Sequence, residues 1–186
     1  NNILPEVISG FELDICKLIG VKEPIIVNGP CKSNQELMYC IKNNFFINVD
    51  NNSELEKIIS ISEELNTKAR IGIRLRPPGE TWKRFGVEYL SSSWDFFLKK
   101  IKSNKNLELI GLHIHIGTDI IELDKYIEAA KFILCVAEKI DQSLKYIDMG
   151  GGFATKTARL NNYAEHEWIV PSFIDYSNSI FEILKS

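Results

Sequence analysis

Three consecutive glycines, Gly150, Gly151 and Gly152, follow the short run Ile147-Asp148-Met149. A backbone without Cβ turns sharply and lets a ligand come close to the main chain. Consecutive N–H groups in such a turn form a nest for an anion. Taken alone, the tripeptide also fits a plain glycine-rich turn. A second stretch, Gly111-Leu112-His113-Ile114-His115-Ile116-Gly117, alternates in type. In a strand, alternate residues share a face, so Gly111, His113 and His115 point one way and Leu112, Ile114 and Ile116 the other. Two histidines at i and i+2 suit a metal pair, a ring-stacking site, or a hydrogen-bonded pair in the core. A zinc site there would have to borrow carboxylates, because the one further histidine is His166, in a polar stretch. Gly117-Thr118-Asp119 offers a hydroxyl and backbone donors to a phosphate near a helix start; taken alone, the stretch better suits a helix N-cap by Thr118 or Asp119. Arg74 and Arg76 alternate on one strand face. Arginine is seldom buried unless paired; the plainer reading has Arg76 at the strand end and solvated.

The elements that must position these residues follow one another as strand and helix. A strand ends near Glu6-Val7-Ile8-Ser9, and a helix follows with Ser9 and Glu12 spaced as a capping box. Pro24–Asn28 reads as a strand. Ser33–Asn43 reads as a helix with a second capping box, Ser33 and Glu36. Phe45–Asp50 is a strand, and Ser53–Leu65 a helix with a third box, Ser53 and Glu56. Ala69–Pro77 is a strand ended by Pro77-Pro78-Gly79, and a long loop holds Arg84-Phe85-Gly86. Ser92–Lys102 is a helix buried through Trp94, Phe97, Leu98 and Ile101, and Leu107–Ile116 is a strand. Glu122–Ile140 carries the clearest helical period, and Tyr146–Met149 is the strand that feeds the glycines. Thr155–Pro171 is a polar loop and Phe173–Leu184 a last helix. This alternation implies a parallel sheet with helical crossovers. The sheet is either open and doubly wound or closed as a (βα)8 barrel. The strand ends carry Ser9, Asn28, Asn48, Asp50, Arg74, Arg76, His113, His115 and Asp148, the polar rim expected at the C-terminal face of a barrel. About six strands are counted where a barrel needs eight, which leaves two edges for further chain or a partner to cover.

The chain is 186 residues long, with 22 basic and 25 acidic residues and a net charge of −3. That is enough for one substantial core. The charges are spread, so neither nucleic acid nor a membrane surface is an expected partner. No apolar run reaches the ~20 residues of a membrane span, and no stretch reads as a signal peptide. Cys16, Cys31, Cys40 and Cys135 lack zinc or disulfide spacing. They are expected to be reduced in a cytoplasmic protein. Asn1-Asn2, without a methionine, suggests a processed or cut product.

Gly111–Thr118 followed some thirty residues later by Ile147–Phe153 resembles the fold-type III pyridoxal-phosphate decarboxylases, which include the diaminopimelate, ornithine and arginine decarboxylases. The diaminopimelate branch is the nearest resemblance. Val7–Leu13, Asn28–Ser33, Ile47–Asp50 with Ser53-Glu54-Leu55, Arg74–Pro77 and Arg84–Val87 resemble further family segments, in the same order. The resemblance implies an alanine-racemase-like (βα)8 barrel of the TIM type, incomplete here with about six of eight βα units. It implies pyridoxal 5'-phosphate as cofactor, no metal, an amino-acid substrate and a homodimer. His115 would stack on the cofactor ring and Asp148 would support that histidine. Thr118, where the family usually has serine, would offer its hydroxyl to the phosphate. Gly150, Gly151 and Gly152 would bind the phosphate through N–H groups. Arg74 would lie near the cofactor, and Glu12 beside the cofactor lysine.

The departures are equally specific. The family's lysine motif precedes the segments matched here, and its Glu-Pro-Gly-Arg motif follows them; neither is present in this sequence. The expectation is that residues 1–186 form a partial barrel domain, lacking the family's first and last barrel strands and its C-terminal β domain. Arg76 replaces the family's usual asparagine, and Asp119 its usual glutamine or glycine. The chain by itself is therefore not expected to decarboxylate anything. The readings set against a decarboxylase are an inactive homologue that binds a partner and a metal-dependent barrel hydrolase using His113 and His115.

Overall fold

The computed structural model describes residues 4–22, 24–77, 84–140, 143–155 and 170–185. They fall into two compact units, one of Asn1–His113 with Gln142–Ile147 and the other of Ile114–Asp141 with Asp148–Ser186.

The first unit is a parallel α/β layer. Its strands are β1 (Glu6–Val7), β2 (Ile26–Val27), β3 (Phe46–Val49), β4 (Ala69–Arg76), β5 (Val87–Glu88), β6 (Leu107–Ile114) and β7 (Tyr146–Asp148); Ile114 and Asp148 already belong to the second unit. The helices are α1 (Gly10–Leu18), α2 (Asn34–Lys42), α3 (Asn52–Glu64) and α4 (Ser92–Ser103). The strand order is β1-β2-β3-β4-β6-β7, with β5 paired to β4 off that path. Pairing is parallel through β1 to β5, with Ile26 opposite Phe46 and Phe46 opposite Arg70. A doubly wound sheet reverses its order at a switch point. Here the order runs one way, which is the order of a barrel and decides between the two closures.

On β4, Ile71, Ile73 and Leu75 are buried, while Arg70, Arg74 and Arg76 alternate with them and are half-buried. Leu37, Cys40 and Ile41 of α2, Leu55 and Ile58 of α3, and Trp94, Phe97 and Ile101 of α4 are buried at helical spacing. Each such aliphatic or aromatic side chain contributes about 1.5–3 kcal/mol on burial. Asn48 on β3, Gly72 on β4, Gly111 on β6 and Tyr146 on β7 share one face of the sheet. A Cβ at Gly72 would strike the Asn48 amide and the Tyr146 hydroxyl, and one at Gly111 would strike the Tyr146 ring.

Several boundaries differ from the sequence reading. The cap of α3 is Asn51, whose side chain accepts from Glu54 N–H, so Ser53 and Glu56 lie inside the helix and form no box. The cap thus lies two residues before the expected Ser53, and the Glu54 carboxylate is buried against Lys32. Ser33 and Glu36 do form a reciprocal capping box. Ser9 caps α1, but Glu12 Oε2 accepts from Ile8 N–H at 2.6 Å rather than from Ser9. β6 stops at Ile114, so His115 lies beyond the strand. The loop after β4 pairs back as β5, and Arg76 is not solvated but ion-paired to Glu88 at 2.9 Å. The residues 78–83 of that loop, and most of the polar stretch that includes His166, lie outside the described residues.

The second unit holds α5 (Leu123–Lys139), α6 (Phe173–Leu184) and the loops that follow β6 and β7. Glu122 precedes α5 and makes no side-chain cap bond. Thr118 and Asp119 are therefore not its cap, because Asp119 turns into a positive φ of 56° and the chain extends before the helix begins. Ser172 and Asp175 form a capping box on α6. Tyr126, Tyr176 and Ile180 are buried together, with Ile116, Ile120, Leu123, Met149, Phe153 and Leu184 packed around them. No described helix is long and apolar enough to cross a membrane.

Candidate functional site

In the second unit, the two loops that carry His115–Thr118 and Asp148–Gly152 lie against each other. Ile120 N–H donates to Gly152 O at 2.9 Å, and Ile120 and Phe153 form a parallel bridge. Asp148 is buried and its Oδ1 accepts from Gly150 N–H at 2.8 Å. Gly150 (φ 65°) and Gly152 (φ 89°) adopt the left-handed region that L side chains avoid. A Cβ at Gly150 would lie 2.7 Å from Ile114 O and 2.9 Å from His115 Nδ1, and one at Gly152 would strike Gly117 O. The His115 ring is thereby seated on Gly150. Thr118 is exposed beside Gly152, its Cα 3.5 Å from that same Cβ position.

Gly151 differs from its neighbours. Its φ is not positive, and a Cβ built on it would meet nothing within 4 Å. No turn geometry or packing in the described residues demands a glycine there. The space beside it is open, and a side chain would fill it. This is the property of a backbone cradle that a ligand approaches closely. Two amides, those of Gly151 and Gly152, are left without a partner among the described residues, whereas Gly150 N–H is taken by Asp148. A doubly charged phosphate placed against two peptide donors and a hydroxyl would gain charge-assisted hydrogen bonds. The donor set fits a phosphate.

The loop rests on aromatic rings. The Tyr126 hydroxyl donates to Gly151 O at 3.2 Å, and the Tyr176 hydroxyl to Ile120 O at 2.6 Å. Phe153 stacks on Tyr126 at 4.9 Å between centroids and tilts against Tyr176 at 5.0 Å. Burial pushes the Tyr126 phenol up to about 12, so it remains a neutral donor at ordinary pH. Tyr126 falls on the apolar period of α5, and nothing in that spacing distinguishes a hydroxyl that donates to a loop.

In the first unit, the ends of the strands carry a chain of charged contacts. Arg74 Nη1 meets Asp50 Oδ1 at 2.9 Å, and the same oxygen accepts from Gly86 N–H at 3.2 Å. The Phe85 ring lies over the Arg74 guanidinium at 5.0 Å. Asp50 N–H in turn donates to Glu54 Oε2 at 2.8 Å. Glu54 is paired with Lys32, and both side chains are buried. Lys32 Nζ also donates to Gly29 O at 2.7 Å and Asn48 O at 2.8 Å. Beside this runs a row of amides, in which Asn28 Nδ2 donates to Glu6 Oε1, Asn48 Nδ2 to Asn28 Oδ1, and the Tyr146 hydroxyl to Asn48 Oδ1. Lys32, Glu54 and Tyr146 were not among the residues that the sequence reading singled out. Glu12 stands at the head of α1, bonded to Ile8 N–H.

Among the described residues, no three His, Cys, Asp or Glu side chains gather as a metal site. His113 is buried and His115 half-buried. Among the described residues, the metal reading of this pair finds no further ligands.

Residues 6–185 match the family described as pyridoxal-dependent decarboxylase, pyridoxal binding domain. The chain belongs to this family. It is 30% identical over 168 residues to a diaminopimelate decarboxylase of Aquifex aeolicus, a match that covers 81% of this chain and 39% of that protein. It superposes on the crystal structure of the Helicobacter pylori diaminopimelate decarboxylase complexed with L-lysine with a TM-score of 0.81 and 26% identity, covering 97% of this chain and 48% of that one. The diaminopimelate decarboxylase of M. jannaschii, at 24% identity, shares the fold with a TM-score of 0.84. The chain thus spans two fifths to one half of the relatives that it matches, and it is an incomplete TIM-type barrel of α/β class. The cofactor of this family is pyridoxal 5'-phosphate.

Proposed function

We propose that the protein carrying this chain is a pyridoxal-phosphate-dependent decarboxylase acting on an amino acid of the diaminopimelate type, and that this chain supplies the cofactor's phosphate cradle and a stacking histidine. Gly151 carries the reading: it is a glycine without a backbone reason to be one, beside open space and next to amides with no partner among the described residues. Gly151 and Gly152 offer N–H groups to the phosphate and Thr118 its hydroxyl. Gly150 serves by turning the loop, and Asp148 by pinning that turn. His115, seated on Gly150, is the ring that would cover the cofactor's flat face. When bound, pyridoxal phosphate supplies an electron sink for the negative charge left as the carboxylate departs. The protein's own part is to bind and orient it. In the first unit, Asp50 and Phe85 hold the Arg74 guanidinium in one orientation; a place for Arg74 and Glu12 near the cofactor is an expectation from family resemblance alone.

Residues 1–186 act in this reading as a partial cofactor-binding barrel domain. The lysine that bonds the cofactor, the acid that pairs with its ring nitrogen, and the family's β domain are contributed from outside these residues. The working form is a homodimer in the cytoplasm. The test compares the complete protein with its Gly151→Leu variant. The wild type should take up one pyridoxal phosphate per chain, fixed by borohydride as a single mass increment, and release carbon dioxide from diaminopimelate. The variant should keep its melting temperature and lose the cofactor. Cofactor uptake undiminished in a folded variant would remove the cradle from this loop. Cofactor uptake without turnover on any amino acid would identify an inactive homologue instead.

A further inference from the structure

The geometry points to Tyr126 as the positioning residue of the glycine cradle, an inference that rests on the cofactor reading above. In a planar trans peptide the C=O and N–H point in opposite directions, and the described chain contains no cis peptide. The carbonyl of Gly151 is held toward α5 by the Tyr126 hydroxyl at 3.2 Å. The N–H on the same peptide, that of Gly152, is therefore turned away from the aromatic cluster and toward the open side of the loop. A glycine pair can flip this peptide at little steric cost; the flipped form would bury the donor and present a carbonyl oxygen to an anion. Tyr126 acts against that flip.

The phenol is well placed for the task. Its ring is fully buried and stacked on Phe153, which is itself two residues beyond the bonded carbonyl. Tyr176 meets the ring edge-on at 5.3 Å and secures the facing loop through Ile120 O, while Ile120 N–H holds Gly152 O. Asp148 meanwhile withdraws Gly150 N–H from the ligand. Tyr126 and Asp148 together leave two of the three glycine amides, Gly151 and Gly152, to face a phosphate.

The test uses the complete protein freed of cofactor, with pyridoxal 5'-phosphate and pyridoxal lacking the phosphate as probes. Tyr126→Phe keeps the ring and removes the hydroxyl. It should weaken pyridoxal phosphate by about fivefold to tenfold, the worth of one hydrogen-bonding group, and leave pyridoxal binding unchanged. Equal weakening of both probes, or of neither, overturns the inference while the cofactor reading stands. A wild type that binds neither probe overturns the cofactor reading and this inference with it. Amide hydrogen exchange on the wild type needs no variant: pyridoxal phosphate should slow exchange at Gly151 and Gly152 and leave Gly150 as it was. Protection gained at Gly150 but not at Gly152 would overturn the assigned peptide orientation.

Discussion

Removing Lys32 should be among the most damaging single changes in the first unit, and the contacts set the size of the effect. Its ammonium is buried and shares four hydrogen bonds: two with the Glu54 carboxylate at 3.0 and 3.2 Å, and one each with Gly29 O and Asn48 O. Lys32→Met keeps the length of the stem and deletes the charge. Glu54 would then be left buried with one backbone donor, Asp50 N–H. Breaking a buried ion pair by removing one partner costs about 3–5 kcal/mol, because the remaining charge is uncompensated. Glu54→Met should cost a similar amount, since the ammonium would keep only two neutral carbonyls. The double variant removes both charges and should lose less than the two singles combined, by about 2 kcal/mol or more. Urea denaturation monitored by circular dichroism measures all three, with the slope checked for constancy so that the midpoint reports stability. A loss under about 1 kcal/mol for Lys32→Met, or costs that add within about 0.5 kcal/mol, would refute the argument that this pair fastens the strand ends.

Gly111→Ala should destabilise the protein by about 1–3 kcal/mol or more, because the new methyl meets the Tyr146 ring, which is held by Asn48 at its hydroxyl and stacked on Phe46 at 5.6 Å; a melting temperature equal to wild type would contradict the packing. Thiol labelling under native conditions should modify Cys31 and Cys135, which are exposed, and spare Cys16 and Cys40, which are buried. Burial raises the Cys40 thiol to about 12, so the reactive thiolate stays scarce as pH rises to 9. Mass spectrometry should count two adducts before denaturation and four after it; early labelling of Cys40 would refute its burial.

The elements were legible where a local rule suffices. The capping box at Ser33 and Glu36, the helical period of α5 and the alternation of Arg74 and Arg76 on β4 all arise from neighbours in sequence, and the structure has them. What escaped the reading depends on partners far along the chain. Arg76 faces Glu88 because the loop between them returns to pair with β4, and nothing local announces that return. Ser53 and Glu56 have box spacing, yet Asn51 caps the helix, and the Glu54 side chain reaches inward to Lys32, a partner far along the chain. The closure of the sheet was likewise open on periodicity alone; it took strand order to decide it.

The three glycines show why a motif is not one requirement but several. Gly150 and Gly152 are demanded by the backbone, through positive φ and the nearness of His115, Ile114 and Gly117. A purely structural turn would need those two and would be indifferent to the residue between them. A Cβ at Gly151 would meet nothing and its φ is not positive, so its smallness serves the space outside the loop. The same division runs through its surroundings. Asp148 consumes an amide to shape the turn, whereas Tyr126 spends its hydroxyl on a carbonyl and so leaves an amide facing outward. Side chains that hold the loop from within decide which backbone donors a ligand can reach, and the spacing of Gly150, Gly151 and Gly152 is the part of that arrangement visible in the sequence.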